Sequence, residues 1–179
     1  GSTDATDVEG KIDMLLKVVP SAKTVGIFYN SSEVNSEVQA DQAKQALEAK
    51  GVKVEVATVT STNDVQQTMI SLAAKVDAIY LPTDNTVAST ALTIGESLQE
   101  AKVPAMGSDA AVIDATLFTY GVDYHAIGVQ AGELAVKILK GDKPADLPVQ
   151  KPNTAAVTVN EEMATALGFD AETIKALEK

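Results

Sequence analysis

Val76-Asp77-Ala78-Ile79-Tyr80-Leu81-Pro82-Thr83-Asp84-Asn85-Thr86-Val87-Ala88-Ser89 carries three kinds of local chemistry in fourteen residues. Ala78 to Leu81 is a short apolar run, the pattern of a strand covered on both faces. Pro82 ends it, and Thr83-Asp84-Asn85 turns polar. Val87, Ala91, Ile94 and Leu98 then recur at helical spacing. A polar cluster therefore stands where a strand hands over to a helix. In open α/β sheets that edge, outside the carboxyl ends of the strands, is where ligands bind. The handover recurs at Tyr29-Asn30-Ser31-Ser32-Glu33-Val34-Asn35-Ser36, after the run Thr24 to Phe28, and at Gly107-Ser108-Asp109, after Val103 to Met106.

Working outward, Thr6 or Asp7 can cap an opening helix with Ile12, Leu15, Leu16 and Val19 on its apolar face, stopped by Pro20. A strand over Thr24 to Tyr29 follows, then a helix over about Asn35 to Ala49 with Val38, Ala46 and Leu47 inward, ended by Gly51. Val52 to Val59 alternates as a strand near a sheet edge does. Ser61-Thr62-Asn63-Asp64 is placed to cap a helix that buries Val65, Met69, Leu72 and Val76. The strand Ala78–Leu81, a helix over Asn85–Ala101 and a strand over Pro104–Met106 complete a βα alternation. Helical crossovers of this length imply parallel strands with right-handed connections. The fold class is α/β: a three-layer α/β/α sandwich on a central parallel sheet, flavodoxin-like, with expected strand order 2-1-3-4.

Past Asp109 the rhythm changes. Ala110 to Ala115 is a short apolar turn or helix, and Leu117 to Val122 reads as a strand. Ala126 to Lys140 is an amphipathic helix (Ile127, Ala131, Leu134, Ile138) ended by Gly141. The proline-rich segment from Asp142 to Pro152 is an extended linker, and Ala155 to Val159 is a late strand. Asn160 caps a helix through Leu167 that Gly168 stops, and Asp170 caps a last short helix with Ile174 and Leu177.

Composition narrows the function. The formal net charge is −11 over 179 residues, which leaves no basic cluster to neutralise phosphates or an anionic membrane. With no cysteine there is no disulfide, thiolate nucleophile or Cys-based metal site. His125 stands alone, so neither a His-based metal site nor a Ser-His-Asp relay assembles around it. Glycine-rich nucleotide fingerprints are missing, and no cofactor or metal is expected. No apolar run is long enough to span a bilayer and no signal-peptide pattern is present. Gly1-Ser2 reads as the scar of a removed tag, which puts the natural start upstream.

Several stretches together resemble the ABC-transporter substrate-binding family, the branch of type I periplasmic binding proteins that takes up tryptophan and tyrosine. They are Val25-Gly-Ile-Phe-Tyr-Asn-Ser-Ser-Glu33, Ala57-Thr-Val-Thr-Ser-Thr-Asn-Asp-Val-Gln-Gln67, Asp77 to Ser89, Tyr120-Gly-Val-Asp-Tyr124 and Gly132-Glu-Leu-Ala-Val-Lys-Ile-Leu-Lys-Gly141. The resemblance implies a two-lobed clamshell with a small solute, here an aromatic amino acid, held in the cleft and passed to an ABC permease. It implies a binding protein, not an enzyme. It also implies an exported protein, either a membrane-tethered lipoprotein or free in the periplasm.

Set against the family's length, the chain reads as an isolated C-terminal lobe holding half of the cleft. Residues 1–114 are its α/β core, and 115–141 are a strand-helix segment that in the family crosses to the other lobe. Residues 142–179 are the linker, return strand and C-terminal helices. Deprived of the other lobe, the segment 115–141 either folds back as a fifth parallel strand and helix or swaps into a homodimer. Folding back is favoured, because Leu117–Val122 can join the sheet without threading.

The candidate ligand-binding residues are those of the polar loops. Asn30, Ser31, Ser32, Asn35 and Ser36 offer hydroxyls, amides and backbone N–H groups suited to a ligand carboxylate. Thr83, Asp84 and Asn85 form the second group. The Asp84 carboxylate can hold an ammonium group, cap the following helix, or do both. Ser108 and Asp109 occupy the third loop, and Asp123 and Tyr124 open the amphipathic helix. Tyr80 reads as core and Glu33 as a solvated loop charge. Two other functions share the fold class. One is a ligand-sensing effector domain of a repressor, which would need a DNA-binding segment that the sequence lacks. The other is a flavodoxin-like enzyme or phospho-receiver: a receiver would need an acidic pair where Tyr29-Asn30 stand, and a flavoprotein a phosphate loop and aromatic ring stackers, with aromatic residues at only 4%.

Overall fold

The structure, a computed structural model, describes residues 1–5, 7–151 and 155–178. Six strands form one sheet in the order β2-β1-β3-β4-β5-β6. They are β1 (Thr24–Asn30), β2 (Lys53–Val59), β3 (Ala78–Leu81), β4 (Ala105–Gly107), β5 (Phe118–Val122) and β6 (Ala155–Val159). The first five are mutually parallel, as the βα alternation demands, and the order 2-1-3-4 is the expected one. The sheet is not wholly parallel, however. β6 runs antiparallel to β5, with Phe118 opposite Val159 and Val122 opposite Ala155. The chain leaves β5 at the carboxyl edge and β6 begins at that same edge, so β6 can only run back.

The helices are α1 (Val8–Val18), α2 (Val34–Ala49), α3 (Val65–Ala73), α4 (Asn85–Ser89), α5 (Ala91–Ala101), α6 (Tyr124–Leu139), α7 (Glu161–Leu167) and α8 (Ala171–Lys175). Strand side chains alternate between two cores. Val25, Ile27, Ala78, Tyr80, Met106 and Phe118 face α1, α2, α7 and α8. Phe28, Ile79, Leu81 and Ala105 face α3, α4 and α5. This is the expected three-layer arrangement. β2, on the edge, leaves Val56 exposed, while β3 in the middle is buried throughout.

Capping follows the sequence in most places. Asp7, Asn160 and Asp170 each accept a backbone N–H of the turn they open, and Gly168 stops α7 with φ of +78°. Thr6 and Pro152 lie outside the described residues. Four expectations are corrected. Ser61 to Asp64 form a 3-10 turn (Thr62–Asp64) with no side-chain cap onto α3; the Ser61 hydroxyl turns to Asp64 Oδ2 instead, at 3.4 Å. On α2 the inward residues are Ser36, Ala40, Ala43 and Leu47, whereas Val38 is exposed. The expected helix 85–101 is split into α4 and α5 at Thr90, whose hydroxyl donates to Thr86 O at 2.7 Å and so takes a carbonyl that helix continuation would use.

The fourth correction concerns α6. β5 does add to the sheet as a fifth parallel strand, but α6 does not follow it onto the sheet face. Leu134 is its one buried residue; Val129, Val136 and Ile138 are exposed and Leu139 is 87% exposed. α6 packs instead beside Gly1, Ser2, Pro144 and Leu147, around an open hollow of about 310 Å³.

Candidate functional site

The carboxyl ends of β1 and β3 bring the first two polar loops together, and a set of hydrogen bonds ties them. Asp84 is 3% exposed. Its Oδ2 accepts the Asn30 backbone N–H at 2.8 Å and its Oδ1 accepts the Val87 N–H at 2.9 Å, so one carboxylate caps α4 and pins the end of β1. Asn30 is buried too: its Nδ2 donates to Thr86 Oγ1 and its Oδ1 accepts the Ser32 N–H, both at 2.8 Å. Asn35 Nδ2 and Ser36 Oγ each donate to Thr83 O at 2.9 Å, and the Thr83 N–H donates to Gln39 Oε1 at 3.1 Å. Glu33, read from sequence as solvated, accepts the Asn85 N–H at 3.0 Å and Asn85 Nδ2 at 2.9 Å. Its charge lies against the start of α4, where N–H groups lack helical partners.

The third loop and the start of α6 form a second group on the same edge. Ser108 is buried; its N–H donates to Leu81 O at 2.9 Å and its hydroxyl to the Tyr80 phenol oxygen at 2.7 Å. Its carbonyl accepts Lys11 Nζ at 3.0 Å. Lys11, on α1, is 1% exposed. Burial pushes its ammonium down to about 8, against the pull of Asp109, Asp4 and Asp7, which favour the charge. Asp109 caps the 3-10 turn Ala110–Ala115, and Asp123 caps α6 by accepting the His125 and Ala126 N–H groups. Tyr124 is 47% exposed and its hydroxyl donates to Asp4 Oδ2 at 3.4 Å. Burial, then the charges of Asp109 and Asp4, hold its phenol well above the ordinary tyrosine value.

The sequence candidates thus divide by what their polar atoms already do. Asn30, Ser36, Asp84 and Ser108 are buried and spent on holding the loops. Ser31, Ser32, Asn35, Asn85, Asp123 and Tyr124 are exposed at the edge, with Thr83 and Asp109 half-buried beside them. An open hollow of about 390 Å³ adjoins the second group, lined by Thr119, Gly121, Asp123, Tyr124 and His125 among others. A larger one, about 460 Å³ between α1 and α2, is walled by Asp7, Glu9, Gln42 and Gln45 and lies off the sheet edge. Among the described residues no three His, Cys, Asp or Glu side chains are placed to hold a metal, and no helix is long and apolar enough to cross a membrane.

Reading the sequence passed over Gln39, Thr86 and Lys11, and took Glu33 for a solvated charge. For Lys11 the signal was present: Val8, Lys11, Ile12 and Leu15 form an i, i+3, i+4, i+7 stripe, so a lysine stands in the buried face of an amphipathic helix.

A family model described as "ABC transporter substrate binding protein" matches residues 1–175. The tyrosine-binding protein of Clostridioides difficile strain R20291 is 31% identical over 168 residues, which are 93% of this chain and 49% of that protein. The chain spans about half the length of the curated relatives it matches. Among solved structures, the ABC domain from Streptococcus pneumonia in complex with L-Trp is 35% identical with a TM-score of 0.86, covering 99% of this chain and 61% of that one. The ligand-free, open structure of CD0873, a substrate-binding protein with adhesive properties from Clostridium difficile, is 37% identical with a TM-score of 0.81, covering 95% and 58%.

Proposed function

Because the chain belongs to the ABC transporter substrate-binding protein family, a family of solute-binding proteins and not of enzymes, we propose that it is one lobe of a receptor for an aromatic amino acid. One observation carries this reading: two polar loops, cross-tied by the Asp84 carboxylate, at the carboxyl edge of parallel strands, in a chain 35% identical to a protein solved with L-Trp. In this reading the ligand meets the exposed groups of Ser31, Ser32, Asn35, Thr83, Asn85, Asp109, Asp123 and Tyr124. Asn30, Ser36, Asp84 and Ser108 act behind them by fixing the loops. Binding sites work best when supporting side chains are locked in this way.

The whole protein, in the same proposal, is an exported solute receptor, a tethered lipoprotein or free in the periplasm, that delivers its ligand to an ABC permease. Residues 1–114 form the lobe core, 115–141 the segment that crosses to the other lobe, and 142–179 the return. The apolar side chains of α6, Val129, Val136, Ile138 and Leu139, meet that other lobe, or a second copy when the chain is alone. Half a cleft binds weakly. The test is an NMR titration of the 15N-labelled chain with L-tryptophan, using L-alanine as control. Shifts confined to residues 30–36, 83–86, 108–109 and 123–124, with dissociation in the millimolar range, support the reading. An unperturbed edge at tens of millimolar L-tryptophan, or equal shifts with L-alanine, overturns it.

A further inference from the structure

A lysine is seldom wholly buried unless its head group has a partner there. Lys11 is 1% exposed on α1, in the stripe that it shares with Val8, Ile12 and Leu15. Its Nζ donates across the layer boundary to the Ser108 carbonyl, at 3.0 Å and 97 residues away in sequence. That carbonyl stands where β3 and β4 part. Their pairing ends with Leu81 opposite Gly107, and the Ser108 N–H still donates to Leu81 O at 2.9 Å. The even alternation of a parallel ladder would next bring the Thr83 N–H, two residues past Leu81, to the Ser108 carbonyl. Thr83 N–H goes to Gln39 Oε1 instead, at 3.1 Å. Lys11 therefore supplies the donor that the ladder no longer gives. From β3 the Tyr80 phenol oxygen accepts the Ser108 hydroxyl at 2.7 Å. From β5 Gly121 comes so close that a Cβ there would lie 2.6 Å from Ser108 O and 3.2 Å from Asp109 Cα.

We propose that Lys11 is a positioning residue of the ligand edge, an assignment that rests on reading that edge as the site of an aromatic amino acid: by taking the Ser108 carbonyl it ends the β3–β4 ladder and sets the third loop. The carbonyl it holds belongs to the planar peptide group that carries Asp109. Asp109 spends Oδ1 on the Ala111 N–H at 2.7 Å, so its carboxylate and the turn it opens move with that peptide. Filling space is not enough to explain the residue. A methionine would occupy the same room without desolvating a charge, and buried ionic groups are seldom the most stable choice.

The experiment uses the 179-residue chain, labelled with 15N and 13C, at pH 6.5, below the value of about 8 to which burial brings Lys11. A scalar coupling from Lys11 Nζ to the Ser108 carbonyl carbon is expected by NMR, and it needs no variant. Lys11→Met, alike in shape but without a donor, should shift the amides of Thr83, Asp109 and Ala111 and leave those of Asn30 and Val87 in place. Its affinity for L-tryptophan should weaken about fivefold, the worth of about one hydrogen bond, with no fall in Tm, because relief of the ammonium's desolvation offsets the orphaned carbonyl. A missing coupling, third-loop amides unmoved in Lys11→Met, or affinity and Tm lost together, as for a lysine that only props up the core, each overturn the proposal. If the wild type binds no L-tryptophan, the reading of the ligand falls alone, and the coupling and the third-loop shifts still decide whether Lys11 holds the loop.

Discussion

Asp84 offers the sharpest separation of a side chain's work in the fold from any contact with ligand. Replacing it by alanine removes two hydrogen bonds to backbone donors, Val87 N–H at 2.9 Å and Asn30 N–H at 2.8 Å, at a residue 3% exposed. Loss of a helix cap costs about 1 kcal/mol. The Asn30 N–H is left buried without an acceptor, at about 1–3 kcal/mol. The sum is about 3 kcal/mol, and for a chain of this size about 2–4 °C accompany each kcal/mol, so Tm should fall by about 6–12 °C. Urea denaturation should show the midpoint moving down with an unchanged slope. Asp84→Asn keeps one oxygen but sets an amide –NH₂ against a backbone donor, so it should fall between wild type and alanine. If Asp84→Ala moves stability by less than about 0.5 kcal/mol, the carboxylate is not engaged as described, and the division between buried supports and exposed contacts fails with it.

Three further outcomes follow from the same coordinates. A Cβ at Gly95 would stand 2.1 Å from the Asp114 carbonyl oxygen, which belongs to the backbone. Gly95→Ala should force α5 away from the 3-10 turn and lower stability by about 1–3 kcal/mol, read as a Tm drop; an unchanged Tm refutes the close approach. The folded Lys11 ionises at about 8 and the unfolded at 10.5, so the unfolded chain binds more protons between those values and stability should rise with pH there. The full gain is on the order of 3 kcal/mol. Lys11→Met should lack this rise, and a wild type whose denaturation midpoint is flat from pH 8 to 10 would count against the burial. Asp77 Oδ2 accepts the Lys23 and Thr24 N–H groups, both at 2.8 Å, which holds its carboxyl below the usual range. Its contribution is present above the ordinary carboxylate value and lost as pH falls through the depressed one. Asp77→Asn should flatten the acid limb of Tm against pH between 2 and 5, and an identical limb would show the bonds to be idle.

The parallel part of the sheet was legible because each strand is a short apolar run followed by a helix with its own periodicity, and a βα alternation leaves little choice of direction. The polar loops were legible for the same reason, since each begins where a run such as Ala78–Leu81 stops. Direction was not legible for Ala155–Val159, because five apolar-biased residues look alike either way and the answer lies in where the preceding excursion returns. Thr90 broke a helix whose apolar spacing runs on through Ile94 and Leu98, since the periodicity does not register a hydroxyl that captures a carbonyl. The α6 pattern is sound as an amphipathic helix, yet periodicity says only that a face wants cover and not what covers it. Glu33 was read as solvated because its partner loop lies 52 residues away in sequence.

The antiparallel pairing of β5 with β6 has a topological consequence. Val122 stands opposite Ala155, so everything from residue 123 to residue 154 is, to the sheet, the loop of a hairpin. Cutting that loop to a few residues would spare about three doublings of length, each worth about 0.6 kcal/mol in closure entropy. The sheet edge is thus a socket, indifferent to the size of what is plugged into it. A short turn, α6, or a foreign module would each leave the register of Phe118–Val122 with Ala155–Val159 intact.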